Sequence, residues 1–232
     1  MRRFSIKKSA HFLLKNPIKV LTNYAVFDNI NLLIIIRSAR ESMKALEEKI
    51  LKEGKVLPGH VLKVGSFLNH QIDTPFMMEM GRYAASLFEG DKPNKIMTIE
   101  ASGIAFGMAV AAALNLPLVF AKKKKSINVE DDLYSTIVHS YTHNMDYRVV
   151  VSKEILNEGD RILLVDDFLA NGCALNGLMD LVEQAGGTVV GCTTAIEKGF
   201  QGGGDKLRAQ GLKVESLAII EKMDDRSLEF RK

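Results

Sequence analysis

Apolar residues of the segment Met43 to Glu53 recur at helical spacing, with Met43, Leu46 and Ile50 on one side and lysines and glutamates between them. That spacing predicts an amphipathic helix, closed by Gly54. The stretch Val56 to Gln71 is broken by Pro58, Gly59 and Gly65 and reads as a structured loop. Asp73 is placed to cap a second helix through Met77, Met80, Ala84 and Leu87, with Gly90 beyond its end. From Lys95 onward, aliphatic strands and helical segments alternate: strand Lys95–Ile99, helix Ile104–Leu114, strand Pro117–Ala121, strand Arg161–Val165, helix Gly172–Ala185, strand Thr188–Ile196, helix Gly204–Gln210 and strand Val214–Ile220. The alternation predicts an α/β fold, a mostly parallel twisted sheet with helices on both faces. Between Lys122 and Val151 it lapses, and β-branched and aromatic stretches around Ile137–Tyr141 and Tyr147–Val151 predict a long hairpin excursion that would serve as a lid.

Composition narrows the classes. The chain has 232 residues, 47% of them hydrophobic, and two cysteines, which is enough core to fold without a disulfide framework. A reducing, cytoplasmic location is the expectation. The longest apolar run, Leu32 to Ile36, falls far short of a membrane span. Net charge is +3 overall, but residues 1–42 hold eight basic and two acidic residues, leaving 23 basic against 26 acidic over 43–232. The body is therefore slightly acidic, which argues against nucleic acid as its ligand. Residues 1–42 lack a sustained period and are expected to be an extension outside the fold, with the domain spanning 43–232.

The chemistry concentrates after one buried strand. Arg161-Ile162-Leu163-Leu164-Val165 runs into Asp166 and Asp167, then through Phe168-Leu169 into the small-residue loop Ala170-Asn171-Gly172-Cys173-Ala174, which opens a helix. In parallel sheets ligands lie beyond the carboxyl ends of strands. Small residues let backbone N–H groups close on a phosphate, assisted by the helix dipole. The paired acids can accept hydrogen bonds from ribose hydroxyls and hold Mg²⁺ indirectly. Together they point to a sugar phosphate. The chain has neither a G-x-x-x-x-G-K-[ST] loop nor a G-x-G-x-x-G turn after a strand. Thr98 to Ile104 forms a second strand–loop–helix turn. His139 and His143 have i, i+4 spacing but no third ligand, so no protein metal site is expected. Cys192, in an aliphatic strand, is expected in the core.

The Val165 to Gly172 segment resembles the phosphoribosyl-diphosphate signature of type I phosphoribosyltransferases. Together with Val61-Leu62-Lys63-Val64-Gly65-Ser66-Phe67-Leu68-Asn69-His70-Gln71-Ile72-Asp73 and Ala195-Ile196-Glu197-Lys198-Gly199-Phe200-Gln201, it resembles the bacterial xanthine phosphoribosyltransferases within that family. The resemblance implies transfer of the phosphoribosyl group from 5-phosphoribosyl 1-diphosphate to xanthine, giving xanthosine 5′-monophosphate and diphosphate in purine salvage. It implies the family fold with a small hood and a flexible hairpin lid, Mg²⁺ bound with the diphosphate substrate, and a homodimer. Leu62, Asn69 and Lys198 would bind xanthine, with Phe200 stacking on it. Ala170, Asn171, Gly172, Cys173 and Ala174 would hold the phosphoribosyl phosphate, and Asp166 and Asp167 would act at the ribose. Thr98–Ile104 and at least one of Lys122 to Lys125 would meet the departing diphosphate. The cradle departs from many relatives in carrying no hydroxyl side chain. Two alternatives stay open: a guanine or hypoxanthine phosphoribosyltransferase, and a noncatalytic transcription regulator that senses phosphoribosyl diphosphate.

Overall fold

The computed structural model describes residues 44–124, 132–140 and 145–232. The expected extension, residues 1–42, lies outside the described residues, as do Lys125 and His143. Helix α1 covers 44–53, and Gly54 N–H closes it onto the Ile50 carbonyl at 2.8 Å. Where a loop is expected, the backbone pairs instead: β1 (Lys55–Leu57) and β2 (Val61–Lys63) form an antiparallel hairpin around Pro58 to His60, followed by a π-helical turn at Gly65–Asn69. Pro and Gly sit in the turn, so they punctuate a hairpin without abolishing its strands. Helix α2 (Thr74–Ser86) starts as expected, with the Asp73 carboxylate accepting from Phe76 N–H at 3.3 Å.

The main sheet is built from β3 (Lys95–Ile99), β4 (Leu118–Lys124), β5 (Leu133–Ser140), β6 (Met145–Ser152), β7 (Arg161–Leu169), β8 (Thr188–Lys198), β9 (Val214–Met223) and β10 (Leu228–Phe230). Their order is β10-β9-β8-β7-β3-β4-β6-β5. The five strands from β9 to β4 are parallel, and antiparallel strands finish both edges. Helices α3 (Gly103–Leu114), α4 (Cys173–Gln184) and α5 (Gly203–Ala209) connect them. The expected α/β architecture is present, and alternation along β7 shows how its faces are used. Leu163 and Val165 join a core cluster with α1, α2 and α3, whereas Ile162 and Leu164 join another with α4. Each fully buried aliphatic side chain contributes about 1.5–3 kcal/mol.

The excursion is a continuous antiparallel ribbon, β5 paired with β6 from Leu133↔Ser152 to Ser140↔Met145, and β6 extends the main sheet by pairing with β4. Val138, Val149 and Val151 are buried in the α4 cluster, so the described part of this ribbon is seated on the sheet. Lys122, Lys123 and Lys124 are strand residues within β4.

Candidate active site

The sheet order places the site. Chain connections run outward in opposite directions from β3 and β7, making the boundary between these neighbours a topological switch point. β3 and β7 are paired from Lys95↔Ile162 to Met97↔Leu164, whereas β7 continues against β8 as far as Leu169↔Glu197. The carboxyl end of β7 thus loses its β3 neighbour and opens a crevice between the loops that follow the two strands. Asp166 and Asp167 lie in this overhang. They are strand residues, one and two positions past the expected strand end at Val165, because pairing with β8 carries the strand on to Leu169 and offsets the weak strand preference of aspartate.

Both acids are buried, at 6% and 5% exposure, and each is held by neighbours. Asp166 Oδ1 accepts from Asp167 N–H at 3.0 Å. Asp167 Oδ1 accepts from the Ser102 hydroxyl at 2.9 Å, and its Oδ2 lies 3.5 Å from Asn69 Nδ2. Burial, then the adjacent Asp167 charge, pushes the Asp166 carboxyl well above the usual carboxylate range; Lys123 opposes this. Gly103 makes the packing possible. A Cβ there would stand 2.3 Å from Thr98 Oγ1 and 2.6 Å from Asp166 Oδ1. The second loop contributes further, since Glu100 accepts from Lys123 N–H at 2.6 Å through Oε1, tying it to β4.

The cradle follows immediately. Gly172 has φ +88°, a left-handed conformation that disfavours other residues, and precedes the first turn of α4. Asn171 Oδ1 accepts from Cys173 N–H at 3.1 Å, so one backbone donor is satisfied internally while the carboxamide nitrogen takes no part in that bond. Gly203 N–H donates to the Ala170 carbonyl at 3.2 Å, setting the start of α5 against the loop. Cys173 is half-buried; Cys192 is fully buried, with its thiol pushed up to about 12 by burial.

Leu62 and Asn69 line a cavity of about 560 Å³ together with Lys63, Gly65 and His70, a size suited to small molecules. A smaller one of about 220 Å³ shares Asn69 and His70 and reaches Ala101 and Ser102 in the loop after β3 and Ala105 in the first turn of α3. Asp166, Asp167, Lys198 and the cradle line neither; Asn69, shared by both cavities, and Ser102, on the smaller one, link them to Asp167. Lys198, at the end of β8, donates from Nζ to the His60 carbonyl at 2.9 Å, and burial lowers its pKa. Its Nζ lies 5.9 Å from the Phe168 ring centroid. Phe200 packs beside the His60 imidazole, with centroids 5.4 Å apart. Among the described residues, no group of three or more His, Cys, Asp or Glu forms a metal cage. His139 Nδ1 is instead 2.7 Å from Asp146 Oδ1.

Residues 69–224 match the phosphoribosyl transferase domain. Xanthine phosphoribosyltransferase 1 of Clostridium perfringens is 54% identical over 190 residues, covering 82% of this chain and all of the relative. The xanthine phosphoribosyltransferase of Bifidobacterium adolescentis is 54% identical over 192 residues, with the same coverage. The chain belongs to the xanthine phosphoribosyltransferases. Solved adenine phosphoribosyltransferases share the fold of this family member. The Thermoanaerobacter pseudethanolicus structure has TM-score 0.60 and 24% identity, covering 75% of this chain and 98% of its own. That from Rhodothermus marinus has TM-score 0.62 and 22% identity, covering 76% and 99%.

Sequence reasoning placed Ser102 and Gly103 only within the loop expected to meet the diphosphate, not against the carboxylates, and gave Glu197 no role. The first two are small residues whose importance is their proximity to carboxylates from another strand, and no local pattern reports that. Glu197 lies inside the Ala195–Gln201 segment, where a glutamate at the end of an aliphatic strand was itself a signal.

Proposed function

We propose that this enzyme transfers the phosphoribosyl group of 5-phosphoribosyl 1-diphosphate to xanthine, releasing xanthosine 5′-monophosphate and diphosphate. The observation that carries the reading is the buried Asp166–Asp167 pair in the β7 overhang, contiguous with the cradle and held by residues from the two cavities. Backbone N–H groups of Ala170 to Ala174 and the Asn171 amide take the 5′-phosphate. Asp166 and Asp167 accept from the ribose hydroxyls. As C1 acquires oxocarbenium character, a carboxylate whose charge is disfavoured by burial gains strongly from the adjacent positive centre. The loop Glu100 to Gly103 and Lys123 face the departing diphosphate. Leu62 gives the base an apolar wall, Asn69 bonds its edge, and the Lys198 ammonium donates to a xanthine carbonyl alongside the His60 carbonyl it already holds. Guanine would leave one of these donors without an acceptor.

Mg²⁺ fits this donor set. Two carboxylates with no third His, Cys, Asp or Glu grouped with them among the described residues suit an ion that arrives on substrate phosphates, with Asp166 and Asp167 as the acids that would face it. It would neutralise charge on the departing diphosphate. A match of 190 residues that spans the whole of the relative supports a domain at 43–232; a homodimer in the cytoplasm is what the family resemblance implies. Among the described residues no helix is long and apolar enough to cross a membrane.

The deciding experiment measures kcat/KM for xanthine, guanine, hypoxanthine and adenine with phosphoribosyl diphosphate and Mg²⁺. Xanthine should lead. A higher value for guanine or hypoxanthine would replace the base assignment. Binding of phosphoribosyl diphosphate without turnover of any base would favour the sensing regulator.

A further inference from the structure

Glu197 is fully buried, yet it is charged and takes no part in the site described above. Opposite Leu169 in the β7–β8 ladder, it is level with the residue that precedes the cradle. Its carboxylate receives a bidentate bond from Arg208, Nη1 to Oε1 at 2.9 Å and Nη2 to Oε2 at 2.7 Å, and a bond from the Ser216 hydroxyl. The fork geometry fixes orientation as well as distance. Two consecutive glycines connect this pair to the cradle. A Cβ on Gly204 would be 2.2 Å from Glu197 Oε1, and a Cβ on Gly203 would be 2.3 Å from the Ala170 carbonyl oxygen and 2.5 Å from Asn171 C. Gly203 N–H also donates to that carbonyl. An outer branch runs from Arg208 to Asp205 and from Asp205 to Arg231, which pairs with Glu221 near the surface.

We propose that Glu197 and Arg208 are positioning residues for the phosphate cradle. The pair clamps the start of α5, and through Gly203 it fixes the backbone of Ala170 to Gly172 in the conformation that receives the 5′-phosphate. The inference rests on the reading of Ala170–Ala174 as the phosphate site. Burying the Glu197 carboxylate is costly, and an ion pair with the half-buried Arg208 gives weak net stability compared with an apolar core, so positioning explains its presence better than stability does.

The test is calorimetric binding of phosphoribosyl diphosphate with Mg²⁺ to full-length protein, beside steady-state kinetics and thermal melting. Glu197→Gln keeps the shape and removes the charge; Arg208→Lys keeps the charge and removes the fork; Gly203→Ala pushes α5 off the loop directly. Each should raise the Kd for phosphoribosyl diphosphate about tenfold, about 1.4 kcal/mol, with the KM for xanthine changed less than twofold. Arg231→Ala, which cuts only the outer branch, should lower the melting temperature and leave that Kd within twofold. If Glu197→Gln does not fold, the other two variants decide. Unchanged Kd in folded variants, parallel changes for both substrates, or an equal rise in Arg231→Ala would overturn the inference. Failure of wild-type protein to bind phosphoribosyl diphosphate would instead refute the site reading beneath it.

Discussion

Gly103→Ala tests how closely the carboxylate pair is held. The added methyl would meet Thr98 Oγ1 at 2.3 Å and Asp166 Oδ1 at 2.6 Å, where relaxed carbon–oxygen contacts need roughly 3.3 Å. Thr98 is fully buried, so relief must come from moving Asp166 or the start of α3 by about 0.7–1 Å. Overpacking of this kind costs about 1–3 kcal/mol, and for a domain of this size each kcal/mol lowers the melting temperature by about 2–4 °C. A misplacement near 1 Å at a reacting centre can reduce rate by about 100-fold. Gly107→Ala is the matched control in the same helix: its Cβ would meet Leu118 Cδ1 at 3.1 Å and Thr98 Cγ2 at 3.4 Å, contacts that small side-chain shifts relieve without involving Asp166. Xanthine-dependent nucleotide formation, followed spectrophotometrically with melting curves alongside, should show kcat/KM reduced about 10- to 100-fold in Gly103→Ala and less than threefold in Gly107→Ala. A folded Gly103→Ala enzyme with kcat/KM within twofold of wild type would refute the claim that catalysis depends on the placement of Asp166.

Asp166→Asn should cut kcat by about 100- to 1,000-fold while raising stability at neutral and alkaline pH. Because the folded carboxyl titrates above the ordinary 3.8, its burial costs stability increasingly as the pH rises from 3.8 to that raised value and fully above it, so the gain in melting temperature should fade as the pH is lowered toward 3.8. A gain that grows on acidification would contradict the direction of the shift. Lys198→Ala removes a charge-assisted donor worth about 1.5–3 kcal/mol, so kcat/KM for xanthine should fall about 10- to 150-fold while that for hypoxanthine falls less, measured by competition between the bases. Equal losses would detach Lys198 from base selection. Peptide mapping after iodoacetamide should find Cys173 labelled and Cys192 protected in folded protein, with phosphoribosyl diphosphate slowing the Cys173 reaction; labelling indifferent to that ligand would remove Cys173 from the cradle.

The course of β7 shows what can be read along a chain and what cannot. The run Arg161 to Val165 announces a buried strand, and small residues after Leu169 announce a tight turn into a helix. Where the strand stops depends on β8, whose register carries pairing through Asp166 to Leu169, and a partner nearly thirty residues away leaves no local mark. Likewise Asp73 is legible as a cap because its partner is three residues on, whereas the Ser102–Asp167 bond joins residues 65 apart. The hairpin of β1 and β2 was hidden by Pro58 and Gly59, which mark a turn whether or not strands flank it. The resemblance located Leu62, Asn69 and Lys198 as one group; the structure puts the first two on a cavity wall and the third on the His60 carbonyl.

The unequal pairing of β7 gives the crevice a fixed wall and a replaceable one. On the β8 side, residues up to Leu169 are locked into a ladder that continues through Glu197 to β9, so an insertion there would shift every group hung on it. On the β3 side the wall is a short loop, Glu100 to Ser102, anchored mainly at Lys123 and Asp167. Engineering a new leaving group should therefore begin by rebuilding that loop and leave β8 untouched.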